Sequence, residues 1–260
     1  MKTQRAKPSE SAVAVTGTAT ASSMTSYGPT ALPVSGGVME EIFATHGVAM
    51  RARRRQRLVM GAKRSDVIYL LKSGLLVLSA NGSGDRRQLL TILYPGDVFS
   101  MALVPPLDGI GLVAMTDCEL SRMRPSALDD SPKELREFDA LLGERTAELH
   151  ARSILHIARL ASLSSESRVA AFILELALRT GQVVNDTVTC DLPLSRSDIA
   201  DYLSLNADTL SRIMTRLKSR GAVATVGRSR AIVKSVKRLS KEVPICAATL
   251  ALHGRAEGAG

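Results

Sequence analysis

The sequence predicts an α+β chain whose parts follow one another: a jelly-roll-like β-roll, a long dimerisation helix, and a C-terminal winged helix-turn-helix. Three observations predict it. Short apolar and β-branched runs alternate with turn clusters between residues 57 and 123. The strand signal then gives way to one long helical stripe from Pro132 to Leu160, and two short helical patterns flank a three-residue break between Ser195 and Gly221. At 260 residues, 45% of them hydrophobic, the chain has material for more than one core.

Residues 1–37 are mostly Ala, Ser, Thr, Gly and Pro, with almost no large apolar side chains. Such a stretch buries too little surface to offset its ordering entropy, so a disordered tail is expected. Val38 to Met50 reads as a short helix with Val38, Ile42 and Phe43 on one side. Strands are expected at Arg57 to Met60, Val67 to Leu71, Leu75 to Ala80, Gln88 to Leu93, Leu112 to Met115 and Cys118 to Met123. Turn residues punctuate them at Gly61 to Asp66, Ser73-Gly74, Asn81 to Asp85 and Pro95-Gly96-Asp97. Their even spacing predicts a sandwich or jelly roll over 38–130. The basic run Arg51 to Arg57 fits a solvated edge strand whose charge discourages edge pairing; a second nucleic-acid patch is the alternative.

Over 131–162, Leu135, Phe138, Leu142 and Leu149 form a stripe at heptad-like spacing. A helix from Pro132 to Leu160 spans about 40 Å, and so narrow a stripe calls for a partner helix. These four residues are assigned to a homodimer seam, which shifts toward Ile154, Ile157 and Ala161 near the helix end because Arg152 and His156 interrupt it. Packing onto the chain's own β-roll is the alternative.

Residues 163–243 read as a DNA-binding unit. It opens after a break at Ser164 to Ser167 with an amphipathic helix through Val169, Phe172, Ile173 and Leu176 that ends at Gly181. Ser195 and Asp198 then make a capping-box-like start, and Ile199, Ala200 and Leu203 recur at helical spacing. Ser204, Leu205 and Asn206 form the break. Asn206 caps a second helix with apolar Leu210, Ile213, Met214 and Leu217, which stops at Gly221. Small Ala200 and apolar Leu205 suit a close, steep crossing of the two helices. Asp208, Ser211 and Arg212 fall on the opposite face. An Arg there can donate twice to guanine, an acidic side chain can accept from cytosine, and a Ser hydroxyl can meet several base edges. An ordinary surface helix pair is the alternative. Ala222 to Val226 and Ala231 to Ser235 flank Gly227-Arg228-Ser229-Arg230 as a two-stranded wing, with Arg228 and Arg230 set to touch phosphate. Ser195, Arg196, Ser197, Thr209 and Arg216 complete the candidates for the DNA backbone. Residues 244–260 lack a pattern and are expected to be loose.

The formal charge is +9, and from Thr187 onward 12 Lys and Arg stand against 6 Asp and Glu. The excess cation therefore sits where the helix-turn-helix is expected, as an acidic partner would require. Cys118, Cys190 and Cys246 are too few and too far apart for a disulfide framework or a zinc cluster, which fits a reducing cytoplasm. Cys190, just before the first helix of the motif, and Cys118 are the redox candidates, with a buried, inert strand Cys the alternative for Cys118. No apolar run is long enough to span a bilayer and the start lacks a signal-peptide core, so no membrane partner is expected.

The run LPLSRSDIADYLSL, with Asp208, Thr209, Leu210, Ser211 and Arg212 after it, resembles the DNA-binding helix-turn-helix of Crp/Fnr-type bacterial transcription regulators, nearest the FixK and FNR branch. That branch usually reads ETxSR; here Asp208 shortens the first side chain by a methylene, and Ser204 stands where a turn Gly is usual. The run IYLLKSGLLVLSANGSGDRRQLLTILYPGDVF resembles the cyclic-nucleotide-binding-like β-roll of the same family, and the two resemblances cover about 200 residues. They imply a homodimeric regulator, an activator, reading double-stranded DNA at a palindromic TTGA-like operator. RNA polymerase is the implied further partner, and low-oxygen or nitrogen-fixation genes are the implied targets. No cofactor is expected. The family's cyclic-nucleotide pocket places an Arg soon after a Gly-Glu, whereas Gly96-Asp97 is followed by no Arg until Arg122. The cluster-binding cysteines of FNR are missing too, since residues 1–117 contain no Cys. A regulator gated by some other small molecule in the β-roll is one rival; an enzyme is the other, but there is no phosphate-binding Gly loop, GxSxG elbow or metal-ligand cluster to support it.

Overall fold

Alternation along the strands divides the molecule into layers. The computed structural model describes residues 36–58, 66–81, 87–100, 102, 109–184, 187–226, 230–234 and 236–254. Outside them lie nearly all of the expected disordered tail, the turns at 61–65 and 82–86, and the wing tip with Arg228. Strands β1 (Val48–Ala52), β2 (Arg57–Leu58), β3 (Ile68–Ser73), β4 (Leu76–Asn81), β5 (Arg87–Leu93), β6 (Val98–Ser100), β7 (Gly111–Ala114) and β8 (Cys118–Met123) form two antiparallel sheets. Their orders are β1-β8-β3-β6 and β2-β7-β4-β5. Between the sheets Tyr69, Leu71, Phe99 and Leu120 meet Leu58, Leu76, Leu93 and Leu112. On β4, Leu76 faces this interior while its neighbour Val77 faces the C-terminal half of the molecule, so both sides of the second sheet are covered.

The expected helix over Val38 to Met50 is corrected. Helix α1 (Gly36–His46) ends at Gly47, where a Cβ would meet the Phe43 carbonyl and the Ser121 hydroxyl, and Val48 already pairs with Arg122 in β1. The basic run after it is an edge only in part. Arg51 is exposed and pairs with Glu119 at 3.2 Å, but a turn with Arg55 at φ 69° interrupts the run.

Helix α2 (Pro132–Ser162) has 31 residues and is about 46 Å long. The assignment of Leu135, Phe138, Leu142 and Leu149 to a dimer seam is corrected by their packing. Phe138 is fully buried among Met39, Phe43, Ile68 and Leu128, with Leu135 and Leu142 against the same cluster, and Leu149 packs on the β-roll interior. Large apolar side chains are buried where the most surface leaves water, and here that is the chain's own roll. The face of α2 that stays exposed carries Ala140, Gly143, Ala147, His150, Ile154, Ile157 and Ala161, alternately three and four residues apart.

Helix α3 (Ser165–Thr180) starts where the Ser164 side chain accepts from the Ser167 N–H. Its apolar face joins the outer side of β4 and β5 to helices α4 (Arg196–Leu203) and α5 (Ala207–Ser219) in one continuous core. A third antiparallel sheet, β11-β12-β10-β9, holds the wing strands β11 (Val223–Val226) and β12 (Arg230–Val233) beside β10 (Thr187–Asp191) and β9 (Gln182–Val184). After the short α6 (Val236–Ser240), the expected loose tail is also corrected, because Cys246–His253 is helix α7. Thr249 and His253 are buried, Arg159 of α2 donates to Thr249 Oγ1 at 3.0 Å, and Arg179 of α3 donates to the Leu252 carbonyl at 2.7 Å.

Candidate nucleic-acid interface

The first helix of the expected motif begins as its sequence dictates. Ser195 Oγ accepts from the Asp198 N–H at 3.1 Å, and Asp198 Oδ2 accepts from the Ser195 N–H at 3.1 Å, closing a reciprocal capping box. Ser204 then takes the left-handed conformation (φ 52°, ψ 49°), and Leu205 N–H reaches back to the Ala200 carbonyl at 2.9 Å. Asn206 Oδ1 accepts from Thr209 N–H at 2.7 Å and opens α5. At its far end Ala222 N–H bonds to the Leu217 carbonyl and Gly221, at φ 69°, to that of Lys218, which is a Schellman stop.

Leu210, Ile213, Met214 and Leu217 of α5 are buried, so the helix has a fixed inner face. Asp208, Ser211 and Arg212 are all exposed on the other side. Among the described residues none forms a salt bridge with Asp208 or Arg212. The Ser211 hydroxyl donates to the Ala207 carbonyl at 2.8 Å, so what it has left to offer a partner is its lone pairs. Of the backbone candidates, Ser197 is exposed and Ser195, Arg196 and Thr209 are half-buried at the helix starts. Arg216 lies 3.6 Å from Glu166, which also binds Arg220. Arg230 begins β12, and Arg228 lies outside the described residues.

Behind this surface the structure brings together residues that the sequence reading did not connect. Asp198 is buried and takes a two-pronged bond from Arg55, at 3.1 and 3.0 Å, together with one from Arg87. Arg87 also holds Asp201 at 2.8 Å. Burial alone would raise the Asp198 carboxyl, but the bonds from Ser195, Arg55 and Arg87 hold it below the usual range. Deeper in, the Glu175 carboxylate of α3 accepts from the Tyr94 hydroxyl at 2.7 Å and from Arg159, with His253 at 3.6 Å. Burial would raise it too; His253, Arg159 and the Tyr94 bond outweigh that and hold it at about 2. The β-roll, α2 and α7 thus meet at one carboxylate.

Both redox candidates are corrected. Cys190 is buried, and burial followed by the Asp191 charge pushes its thiol up to about 11. Cys118 is buried in β8, and burial raises its thiol as well. In the β-roll, Asp97 is engaged by Arg152 at 2.6 Å and by the Tyr94 N–H at 2.8 Å. A cavity of about 290 Å³ is lined by Leu78, Leu93, Phe99, Leu112 and Leu149, with Thr91, Ser100, Thr146, Ser153 and His150. Among the described residues no Lys or Arg lines it.

Residues 167–242 match the family model of the Crp-like helix-turn-helix domain. The nitrogen fixation regulation protein FixK of Rhizobium meliloti is 31% identical over 160 residues, which are 62% of this chain and 70% of that protein. The chain belongs to the Crp/Fnr superfamily. FixK of Bradyrhizobium diazoefficiens is 34% identical over 163 residues, 61% of this chain and 66% of its own length. Among solved structures, FixK2 from Bradyrhizobium japonicum superposes with a TM-score of 0.65 at 25% identity, covering 76% of this chain and 97% of that one. CooA from Carboxydothermus hydrogenoformans, at 21% identity and a TM-score of 0.61, shares the fold. As a Crp/Fnr protein near the FixK branch, the chain is a DNA-binding transcription regulator and not an enzyme. Its α4 and α5 are the superfamily's helix-turn-helix, and no helix among the described residues is long and apolar enough to cross a membrane.

Proposed function

We propose that this regulator is a cytoplasmic homodimeric activator that reads a palindromic TTGA-like operator at low-oxygen or nitrogen-fixation genes and acts on RNA polymerase. Residues 38–130 form its effector-like roll, 131–162 its dimerisation helix and 163–243 its DNA-binding unit. The observation that carries the reading is the exposed face of α5, where Asp208, Ser211 and Arg212 stand opposite a fully buried stripe. Arg212 donates to a guanine, and Asp208 orients it or accepts from the paired cytosine. Ser195, Arg196, Ser197, Thr209, Arg216, Arg228 and Arg230 hold phosphates. Dimerisation uses the exposed row on α2. Ile154 and Ile157 are 53% and 64% exposed, an unusual state for Ile, and Ala140, Gly143 and Ala147 continue the row with side chains small enough for close helix approach. The nitrogen-fixation role rests on the names of the FixK relatives.

The test is the ratio of affinities for operator and random DNA at fixed salt. Each lost base contact costs roughly 1 to 3 kcal/mol of discrimination per half-site. Arg212→Ala should therefore lower the ratio at least tenfold while leaving nonspecific binding nearly intact. An unchanged ratio would remove α5 as the reading helix.

A further inference from the structure

We infer that Arg55 and Arg87 of the β-roll are positioning residues for DNA recognition: by gripping Asp198 and Asp201 of α4 they set the angle of the helix-turn-helix, and hence the half-site spacing the dimer accepts. The inference rests on the DNA-binding reading above. Three observations carry it. The two halves of the molecule share an apolar core, but apolar burial is non-directional, so directional polar contacts are what sharpen an angle. A guanidinium fork on a carboxylate does set one. Arg55 makes such a fork on Asp198 at 3.1 and 3.0 Å, while Arg87 binds Asp198 and reaches Asp201 through Nε and Nη2 at 3.1 and 2.8 Å.

Asp198 is also the carboxylate that starts α4, so the grip is on the first turn of the helix that carries the turn and the recognition helix. Gln88, next to Arg87, accepts from the Ser204 hydroxyl at 3.1 Å and secures the other end of α4. Finally, Arg55 holds φ 69°, a conformation that disfavours a side chain, yet the residue there is the one whose side chain crosses to Asp198. In a two-fold dimer the recognition helices meet grooves about 34 Å apart, so a small rotation of each motif shifts the preferred spacer.

The experiment uses full-length wild type and the variants Arg87→Ala, Asp201→Asn, the two combined, and Arg55→Gly. Arg55→Gly removes the fork while relieving its own backbone, and Arg87 still meets the Asp198 carboxylate. Asp201→Asn leaves the capping box untouched. Affinities are measured for one half-site alone and for palindromes whose spacer is lengthened or shortened one base pair at a time. We expect each variant to keep its half-site affinity but to lose spacer preference, about fivefold or more for Arg87→Ala. The combined variant should add little to Arg87→Ala, because the two residues act through one contact. Unchanged spacer preference in Arg87→Ala and Arg55→Gly overturns the inference, as does a loss of half-site affinity in parallel with it. Wild type with no operator preference at all overturns the DNA-binding reading instead.

Discussion

His156 shows at the residue scale how burial converts a titratable group into a stability term. Its ring stacks on Tyr202 of α4 with centroids 4.0 Å apart and planes 5° from parallel, and it is buried. Burial pushes its pKa down from 6.5 to about 4, against the pull of Glu175 and with the push of Arg159. The unfolded chain therefore takes up the proton first. The stability this imidazole contributes is full above pH 6.5 and is lost as pH falls toward 4. His253, lowered to about 4 by burial, adds a loss of the same sign. At pH 5 the expected loss from His156 is about 2 kcal/mol relative to pH 7. His156→Phe keeps a ring against Tyr202 and should flatten the decline by about that amount. Urea unfolding at the two pH values checks it, and an equal decline in both proteins would exclude His156 as a source.

At the scale of elements, the turn between α4 and α5 carries a measurable strain. Ser204 occupies the left-handed region, where a side chain costs about 1 kcal/mol or more, and its exposed bond to Gln88 offsets only part of this. Ser204→Gly should raise stability by about 0.5 to 1 kcal/mol and leave half-site affinity unchanged. A melting temperature at or below that of wild type would contradict it. Gly47 illustrates the opposite case. There the missing Cβ lets β1 start immediately after α1, and a purely periodic reading of Val38 to Met50 runs one helix through the junction.

For the whole molecule, α2 has two stripes with different destinations. Phe138→Ala empties a fully buried site in the chain's own core and should cost about 3 kcal/mol of fold stability. Ile157→Glu changes a residue that is 64% exposed in one chain, so it should leave the fold intact and yield monomers with weak operator binding. Sedimentation and thermal melts separate the two effects. A dimeric Ile157→Glu variant would place the seam elsewhere.

Rules that act within about four residues made much of the molecule legible. The capping box at Ser195 and Asp198, the Asn206 cap, the buried stripe of α5 and the β8 strand over Cys118 to Met123 all follow from neighbours along the chain. The opposite face of α5, with Asp208, Ser211 and Arg212, followed from the same periodicity. What only tertiary structure decided lies at long separation. Large side chains on α2 were read as a seam because periodicity tells which residues share a face but not what covers it; the β-roll covers Phe138 and leaves a row of small residues outside. Helix α7, whose weak pattern read as a tail, is held by Arg159 and Arg179 from α2 and α3. The grip of Arg55 on Asp198 spans 143 residues and that of Arg87 spans 111, distances over which spacing carries no signal. Those contacts exist because folding brings a charged turn of the roll against the first turn of α4, and a buried carboxylate is tolerated only where cations meet it.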